Sequence, residues 1–442
     1  MKITIIGAGS SYTPELMEGL INNYKYLEFD ELCLTDVKFG EKKLSIIYEL
    51  TKRMFKKKNI NIKITKTLDQ IKAIKNANFI VIQLRVGGLE TRIIDETIPL
   101  KYGLLGQETN GFGGMFKAFR TIPVIFDLID KIKKYAAKDV WVINFSNPAG
   151  IVTEAVHKYK KFKNFVGVCN VPIHLEMMFA DCYKVDKKKV FIDWIGLNHF
   201  VFGIKVKLNN KDITSDAVKS YIDPKKVKSF TMRNVPPIPW EPNFVKSLNM
   251  ILCPYFRYFV KYNEIIEQET EELKHNNLRS EIVKKAEETL FEKYKDINLD
   301  EKPKELEMRG GAFYSKVAIE VLTALAGGPS VIHAVDYPND GTITNYPKGD
   351  VIEVSSKIEK NKITQLKSIK KIPETIYGSI INLKNYQDIV IKAAINGDYG
   401  LGLIAANISP FSRDDNKNKI VYDELMKAHK KYLPTFNKKK GK

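Results

Sequence analysis

The sequence predicts an α/β protein with a Rossmann-like, doubly wound parallel sheet and a second, largely helical α+β domain. Short apolar runs of strand length alternate with amphipathic helical patterns over residues 1–195, and a glycine turn follows the first run. Beyond this point the alternation weakens and longer helical patterns follow. We therefore predict a nucleotide-binding domain over 1–195 and a substrate-binding and oligomerisation domain over 196–442.

The first element is a strand, turn and helix in "KITIIGAGSSYTPELMEGLINNY". Leu16, Leu20 and Ile21 share one face of the helical part. Such a turn aims backbone N–H groups and a helix N-terminus at a phosphate. Gly7 and Gly9 match the first two glycines of the dinucleotide fingerprint, although a tyrosine stands where the third belongs.

The second strand, "DELCLTD", ends in Asp36. A carboxylate at this position can accept hydrogen bonds from an adenosine ribose, which favours NAD over NADP. The order of these signals predicts an NAD-binding domain, and the alternative is a βαβ unit without a cofactor.

The alternation continues along the chain, as a parallel sheet requires. Helices are predicted in "EKKLSIIYELTKRMF" and "LDQIKAI", and each is followed by a strand, in "INIKIT" and "NFIVIQLR". Two further buried strands are predicted in "DVWVINFSNP" and "NFVGVCNVP", and the alternation weakens after "VFIDWIGLNHF". Farther on, "LRSEIVKKAEETLFEKY" has apolar residues at helical spacing, including Ile282, Val283 and Leu290.

Composition restricts the class of protein. The net charge is +19, but the lysines are spread along the chain, which indicates a solvated surface that favours anionic small molecules over a nucleic-acid site. No apolar run has the length of a membrane span, and the N-terminus resembles a strand instead of a signal peptide, so we expect a cytoplasmic protein. The four cysteines form no CxxC pair and are expected to be reduced thiols.

Polar residues gather where predicted strands end. If the sheet is assigned correctly, Asn147, Cys169, Asn170 and His199 come near one edge. A thiolate and a neutral imidazole are transition-metal ligands, and two protein ligands leave positions for substrate oxygens. The alternative is a buried thiol and a core histidine.

The whole chain resembles the NAD- and metal-dependent glycosidases of glycoside hydrolase family four, and within them the 6-phospho-β-glucosidases. The resemblance is carried, in the same order, by "ITIIGAGSSYTPEL", "RVGGLETR", "IPLKYGLLGQETNGFGG", "NFSNPAG", "VCNVP", "IGLNHF", "PYFRYF" and "LRSEIV". It implies that NAD takes a hydride from sugar C3, a base removes the C2 proton, the leaving group is eliminated from C1, and water addition and hydride return complete hydrolysis.

The resemblance also implies roles for residues around the metal. Cys169 and His199 match the metal ligands, and the family metal is Mn²⁺. Tyr255 matches the base, which needs nearby cationic charge to favour its phenolate, and Glu108 matches a position thought to increase its basicity. From the residues alone, Tyr255 also fits an aromatic core cluster and Glu108 a loop contact.

Substrate and cofactor residues follow from the same resemblance. Arg92, Asn147 and Arg279 match positions that hold the substrate, including its 6-phosphate. Asn170 stands where members that cleave α-linked substrates tend to have aspartate, which favours the β-specific branch. The residues expected to bind NAD are Gly7, Gly9, Ser10, Ser11 and Asp36.

We expect the substrate to be a phosphorylated disaccharide or an aryl 6-phospho-β-glucoside, and the protein to be a homodimer or homotetramer without a nucleic-acid or membrane partner. An NAD-dependent 2-hydroxy-acid dehydrogenase of the lactate or malate type is the alternative enzyme, since it shares the nucleotide domain and needs no thiolate metal site. A basic nucleic-acid-binding protein is the non-enzymatic alternative.

Overall fold

The computed structural model of the chain describes residues 1–437 apart from 231, 234 and 310–313. Its strands are β1 Lys2–Ile6, β2 Glu31–Thr35, β3 Lys63–Thr67, β4 Phe79–Ile82, β5 Trp141–Asn144, β6 Phe165–Val168, β7 Val190–Leu197, β8 Phe200–Leu208, β9 Lys211–Asp212, β10 Ile251–Leu252, β11 Val331–Pro338, β12 Val351–Glu359 and β13 Lys362–Gln365. Its α-helices are α1 Thr13–Asn22, α2 Tyr24–Leu27, α3 Glu41–Lys57, α4 Gln70–Ile74, α5 Gly88–Lys101, α6 Gly111–Tyr135, α7 Ala149–Ala155, α8 Val171–Tyr183, α9 Thr214–Tyr221, α10 Pro242–Leu248, α11 Arg257–Val260, α12 Tyr262–Lys274, α13 Arg279–Tyr294, α14 Tyr314–Ala326, α15 Glu374–Asn396, α16 Tyr399–Ile408 and α17 Asp415–Ala428.

All strands of the described residues join one sheet. Its parallel part has the order β3-β2-β1-β4-β5-β6, which is the strand order of dinucleotide-binding sheets. Beyond β6 the sheet continues through β11, β12, β7, β8 and β10 in antiparallel pairs. The predicted fold class is therefore confirmed.

The sheet is covered on both faces, which explains its continuous apolar strands. In β4, Ile80 and Ile82 belong to one buried cluster, whereas Phe79 and Val81 belong to the other. The first cluster includes side chains of α6, α7 and α15, and the second includes side chains of α1, α3 and α14. Each fully buried aliphatic or aromatic side chain contributes about 1.5–3 kcal/mol to stability.

Local sequence signals set several helix ends. Pro14 lies in the first turn of α1, where its missing N–H costs no intrahelical bond. Asp69 and Asp414 cap α4 and α17 by accepting hydrogen bonds from backbone N–H groups. Gly397 ends α15 with a φ of +61°, a left-handed conformation that glycine adopts without steric cost.

Two sequence predictions can be compared with the sheet and with α13. Residue 195, the predicted domain boundary, lies inside β7, and the sheet runs through it without a break. The division into two domains remains a prediction. On α13, Ile282 was assigned to the apolar face but is 37% exposed, whereas Glu287 is buried because it contacts Lys43 of α3 and Ser11.

Among the described residues, no helix combines the length and the apolar character needed to cross a bilayer.

Candidate active site

The glycine turn after β1 packs tightly against the neighbouring strand ends. Gly7 has a φ of +78°, and a Cβ there would lie 2.9 Å from the carbonyl oxygen of Gln83. A Cβ on Gly9 would lie 2.7 Å from Asp36 Oδ2, the atom that accepts a hydrogen bond from Gly9 N at 2.7 Å. The turn therefore excludes side chains at both positions, and its backbone is available for close approach by a ligand.

Asp36 follows β2 and lies beside this turn, half-buried. Burial raises the pKa of its carboxyl, and hydrogen bonds from Val37 N and Gly9 N act in the opposite direction. This is the strand end at which the ribose hydroxyls of a dinucleotide are bound in Rossmann domains. The residues present thus fit a nucleotide cofactor.

The two serines of the turn have different surroundings. Ser10 Oγ accepts a hydrogen bond from Tyr12 N at 3.3 Å. Ser11 is fully buried, and its hydroxyl donates to Glu287 Oε2 of α13 at 3.1 Å, while Tyr294 of α13 donates to the Ser11 carbonyl at 2.8 Å. The Ser11 side chain therefore joins the turn to α13.

Cys169, His199 and Tyr255 meet at the carboxyl end of β6. Cys169 directly follows this strand, and His199 occupies the turn between β7 and β8 with a φ of +63°. Because β10 pairs with β8, the chain after β10 brings the Tyr255 ring onto the His199 ring, with centroids 4.0 Å apart and planes 4° from parallel. The Cys169 thiol is near enough to influence the Tyr255 pKa.

The donor set fits a divalent transition metal. Burial lowers the pKa of His199 to about 3, so the imidazole is neutral, as a ligand must be. Its Nδ1 is hydrogen-bonded to Thr109 Oγ1 at 2.9 Å, which leaves Nε2 as the ligating nitrogen. Burial and the Glu353 charge raise the pKa of Cys169 well above its usual range, so a thiolate there needs a cation.

Cys169 and His199 would supply two ligands. The described part of the chain contains no group of three or more histidine, cysteine, aspartate or glutamate side chains arranged to hold a metal ion. A metal at this pair would therefore keep open positions for oxygen ligands from a substrate.

Glu108 is a buried carboxylate surrounded by three cations. It forms ion pairs with Arg85, with Lys117 Nζ at 3.0 Å and with Arg92 NH1 at 3.4 Å. Although burial acts in the opposite direction, these cations hold the pKa of Glu108 well below its usual range. Burial and Arg85 lower the pKa of Lys117 to about 7.

The charge around Tyr255 differs from the sequence expectation. Burial, followed by Glu108 and Cys169, raises the pKa of Tyr255 well above its usual range, and Arg92 lowers it. The cationic charge of Arg92 therefore does not outweigh burial and the neighbouring negative charges. The direction of the Glu108 effect agrees with a role in making Tyr255 more basic, since a phenol of higher pKa gives a stronger base.

The four predicted substrate residues lie in different parts of the fold. Arg92, on α5, is buried beside Glu108, and Arg279 is the half-buried first residue of α13. Asn147 follows β5, and its peptide bond to Pro148 is cis. Asn170 follows Cys169 and is the buried residue that precedes α8.

Eight of the predicted residues thus form two groups. Gly7 and Gly9 belong to the glycine turn with Asp36 beside it, while Cys169, His199, Tyr255, Glu108 and Arg92 form the second cluster. Sequence reasoning missed Lys117, Arg85, Thr109 and Glu96 as contacts of this cluster. A lysine in the otherwise apolar run "GGMFKAF" is a signal that predicts a buried charge with a partner.

Comparison with known proteins finds similarity over nearly the full chain. Residues 2–185 match a family model described as "Family 4 glycosyl hydrolase", and residues 194–411 match the model of its C-terminal domain. A "Probable 6-phospho-beta-glucosidase" of Bacillus subtilis is 42% identical over 99% of this chain and 98% of its own length. The 6-phospho-beta-glucosidase of Escherichia coli is 40% identical over 99% of this chain and 97% of its own length.

Solved structures of similar proteins also match the chain over nearly its full length. The 6-phospho-beta glucosidase of Thermotoga maritima, determined with NAD and glucose-6-phosphate, has a TM-score of 0.88 at 31% identity and covers 98% of this chain and 99% of its own. A second structure of that protein, with manganese, NAD+ and glucose-6-phosphate, has a TM-score of 0.87 at 30% identity, with the same coverage.

Proposed function

The chain belongs to glycosyl hydrolase family 4, and on that premise we propose that it hydrolyses 6-phospho-β-glucosides such as cellobiose 6-phosphate, using NAD and a divalent metal, Mn²⁺. The observation that carries the proposal is the contact between His199 and Tyr255 beside the Cys169 thiol, at the same sheet edge as the glycine turn. The relatives named as 6-phospho-β-glucosidases and the manganese, NAD+ and glucose-6-phosphate of the Thermotoga structure support it.

Bound NAD would accept a hydride from sugar C3 and the metal would act as a Lewis acid on the sugar oxygens. Gly7 and Gly9 would allow the cofactor to approach the turn, and Asp36 would accept hydrogen bonds from its ribose. Ser10 and Ser11 complete the turn, Ser11 through its contact with α13. Cys169 and His199 would hold the metal.

Tyr255 is the base that removes the proton from C2. Its ring is oriented by stacking on His199, the predicted metal ligand. Glu108 strengthens the base through its negative charge, and its three cationic partners keep Glu108 ionised.

The two arginines account for the phosphate group of the proposed substrate. Arg92 and Arg279 bind the 6-phosphate, and Asn147 binds the sugar; an arginine suits this role because its planar group makes forked contacts to phosphate oxygens. Asn170 beside the metal cysteine has a carboxamide in place of a carboxylic acid. It cannot protonate a leaving group, which favours β-linked substrates.

We also propose a cytoplasmic homodimer or homotetramer with no nucleic-acid or membrane partner. A doubly charged sugar phosphate does not cross membranes, which supports a site inside the cell. Ile404, Ile408 and Ile420 on α16 and α17 are 49%, 38% and 45% exposed, and an interface between subunits would remove their apolar surface from water. Size-exclusion chromatography with light scattering measures the oligomer.

The test compares hydrolysis of p-nitrophenyl β-glucoside 6-phosphate with its unphosphorylated, α-linked and galacto counterparts, each with and without NAD and Mn²⁺. We expect turnover of the phosphorylated β-glucoside only when both cofactors are present, without net NADH accumulation. Turnover that persists without NAD refutes the proposal. Net NADH formation from a 2-hydroxy acid supports a dehydrogenase, an alternative that family membership over the whole chain disfavours.

A further inference from the structure

Glu96 is a buried carboxylate that connects two elements of the proposed substrate site. Its Oε1 accepts a hydrogen bond from Arg92 Nε at 2.7 Å, one turn earlier on α5. Its Oε2 accepts a hydrogen bond from Ser280 N at 3.0 Å, in the first turn of α13. Only 4% of Glu96 is exposed, so both contacts are shielded from water.

These contacts link two residues that lie far apart in the sequence. Ser280 directly follows Arg279, so a hydrogen bond to its N–H fixes the backbone that carries the Arg279 side chain. Arg92 is held from two directions, because Glu96 binds Nε and Glu108 lies 3.4 Å from NH1. The orientation of its planar guanidinium is therefore set before a ligand arrives.

We propose that Glu96 is a positioning residue that fixes the distance between Arg92 and Arg279, so that both reach the same 6-phosphate. The inference rests on the proposed function. Without Glu96, both arginines keep their charge, but the free energy of ordering them must be supplied on binding. The loss therefore appears in substrate affinity, and the bond-breaking steps at Tyr255 are unaffected.

A matched control is available on the same two helices. Glu90 of α5 forms an ion pair with Lys284 of α13 at 2.7 Å, and these side chains are 64% and 42% exposed. The pair connects the same helices at the surface, and neither residue has an assigned role in the site. A general loosening of the α5–α13 contact would affect both glutamates, whereas positioning of the arginines affects only Glu96.

The experiment compares Glu96→Gln, Glu96→Asp and Glu90→Gln with the unmodified holoenzyme. For p-nitrophenyl β-glucoside 6-phosphate, Glu96→Gln is expected to raise KM about tenfold or more, the effect of losing one charge-assisted hydrogen bond, with kcat and the KM for NAD nearly unchanged. The dissociation constant of glucose 6-phosphate, measured by calorimetry with NAD present, should rise by the same factor. Glu90→Gln should leave all of these values unchanged.

A double-mutant cycle distinguishes positioning from damage to the fold. In an Arg279→Ala background, Glu96→Gln should raise KM by clearly less than it does alone, because part of its effect passes through Arg279. If the effects of Glu96→Gln and Arg279→Ala on KM are additive, the inference is overturned. It is also overturned if the unmodified enzyme is active and both Glu96 variants have unchanged KM values. If Glu96→Gln fails to fold by circular dichroism, Glu96→Asp decides by the same criteria. An unmodified enzyme that does not hydrolyse the substrate overturns the proposed function instead.

Discussion

Replacing Glu108 with glutamine removes the carboxylate that pairs with Arg85, Lys117 and Arg92. The carboxylate lies 3.0 Å from Lys117 Nζ and 3.4 Å from Arg92 NH1, and it also contacts Arg85. At 3.0 Å, two unit charges in an effective dielectric of about 20 attract by about 5 kcal/mol. Burial offsets much of this attraction, but breaking a buried pair by removing one partner typically costs about 3–5 kcal/mol.

We therefore expect Glu108→Gln to lower the free energy of unfolding by about 3–5 kcal/mol near neutral pH. The loss depends on pH because Lys117, whose pKa is about 7 with Glu108 present, loses a partner that raises it. In the variant, the Lys117 pKa falls further, so the folded variant releases this proton at a lower pH than the unmodified protein. Below pH 7 the folded variant has already lost the Lys117 proton, so its free energy of unfolding increases as the pH rises toward 7. The unmodified protein still holds this proton and does not gain stability over that range. The difference in unfolding free energy between the two proteins is therefore larger at pH 6 than at pH 8.

Urea unfolding followed by circular dichroism at pH 6 and pH 8 measures both effects. Glu90→Gln removes a glutamate from an exposed ion pair and should show no measurable change. A loss under about 1 kcal/mol, or the same loss at both pH values, would show that Glu108 does not compensate buried cations in the way described.

Three further predictions concern the base and metal, the cofactor turn and a second buried acid. Tyr255→Phe and Cys169→Ser should each abolish turnover in the p-nitrophenyl assay while the circular dichroism spectrum is retained; near-normal rates would remove that residue from the mechanism. Gly9→Ala should raise the NAD dissociation constant at least about tenfold in a fluorescence titration, because its Cβ would lie 2.7 Å from Asp36 Oδ2; unchanged affinity would contradict the assigned cofactor turn. Burial and Glu96 raise the pKa of Glu269 well above its usual range. The folded state therefore loses stability as the pH rises above the pKa that Glu269 has in the unfolded chain, by about 1.4 kcal/mol for each unit of pKa shift. Glu269→Gln should therefore raise Tm relative to the unmodified protein more at pH 8 than at pH 5, and an equal change at both values would refute this.

The sequence determined the features that depend on neighbours along the chain. The repeated strand and helix patterns predicted the parallel sheet, because strands covered on both faces are apolar at every position. The glycine turn and Asp36 could be assigned since each follows a strand directly. Cys169 was placed at the sheet edge for the same reason, as the carboxyl ends of parallel strands share one edge.

The tertiary structure alone decided which distant side chains meet. Pairing of Leu252 with Phe202 brings Tyr255 onto His199, and no local pattern specifies that register. The Ser11 hydroxyl donates to Glu287 of α13, a contact that no local pattern specifies, and its predicted role in binding NAD stays a prediction. Glu96 gains one partner in the same way, since Ser280 belongs to α13, whereas Arg92 lies one turn away on its own helix. Such contacts depend on packing between elements and on side-chain rotamers, whereas sequence periodicity reports only which face of an element is buried.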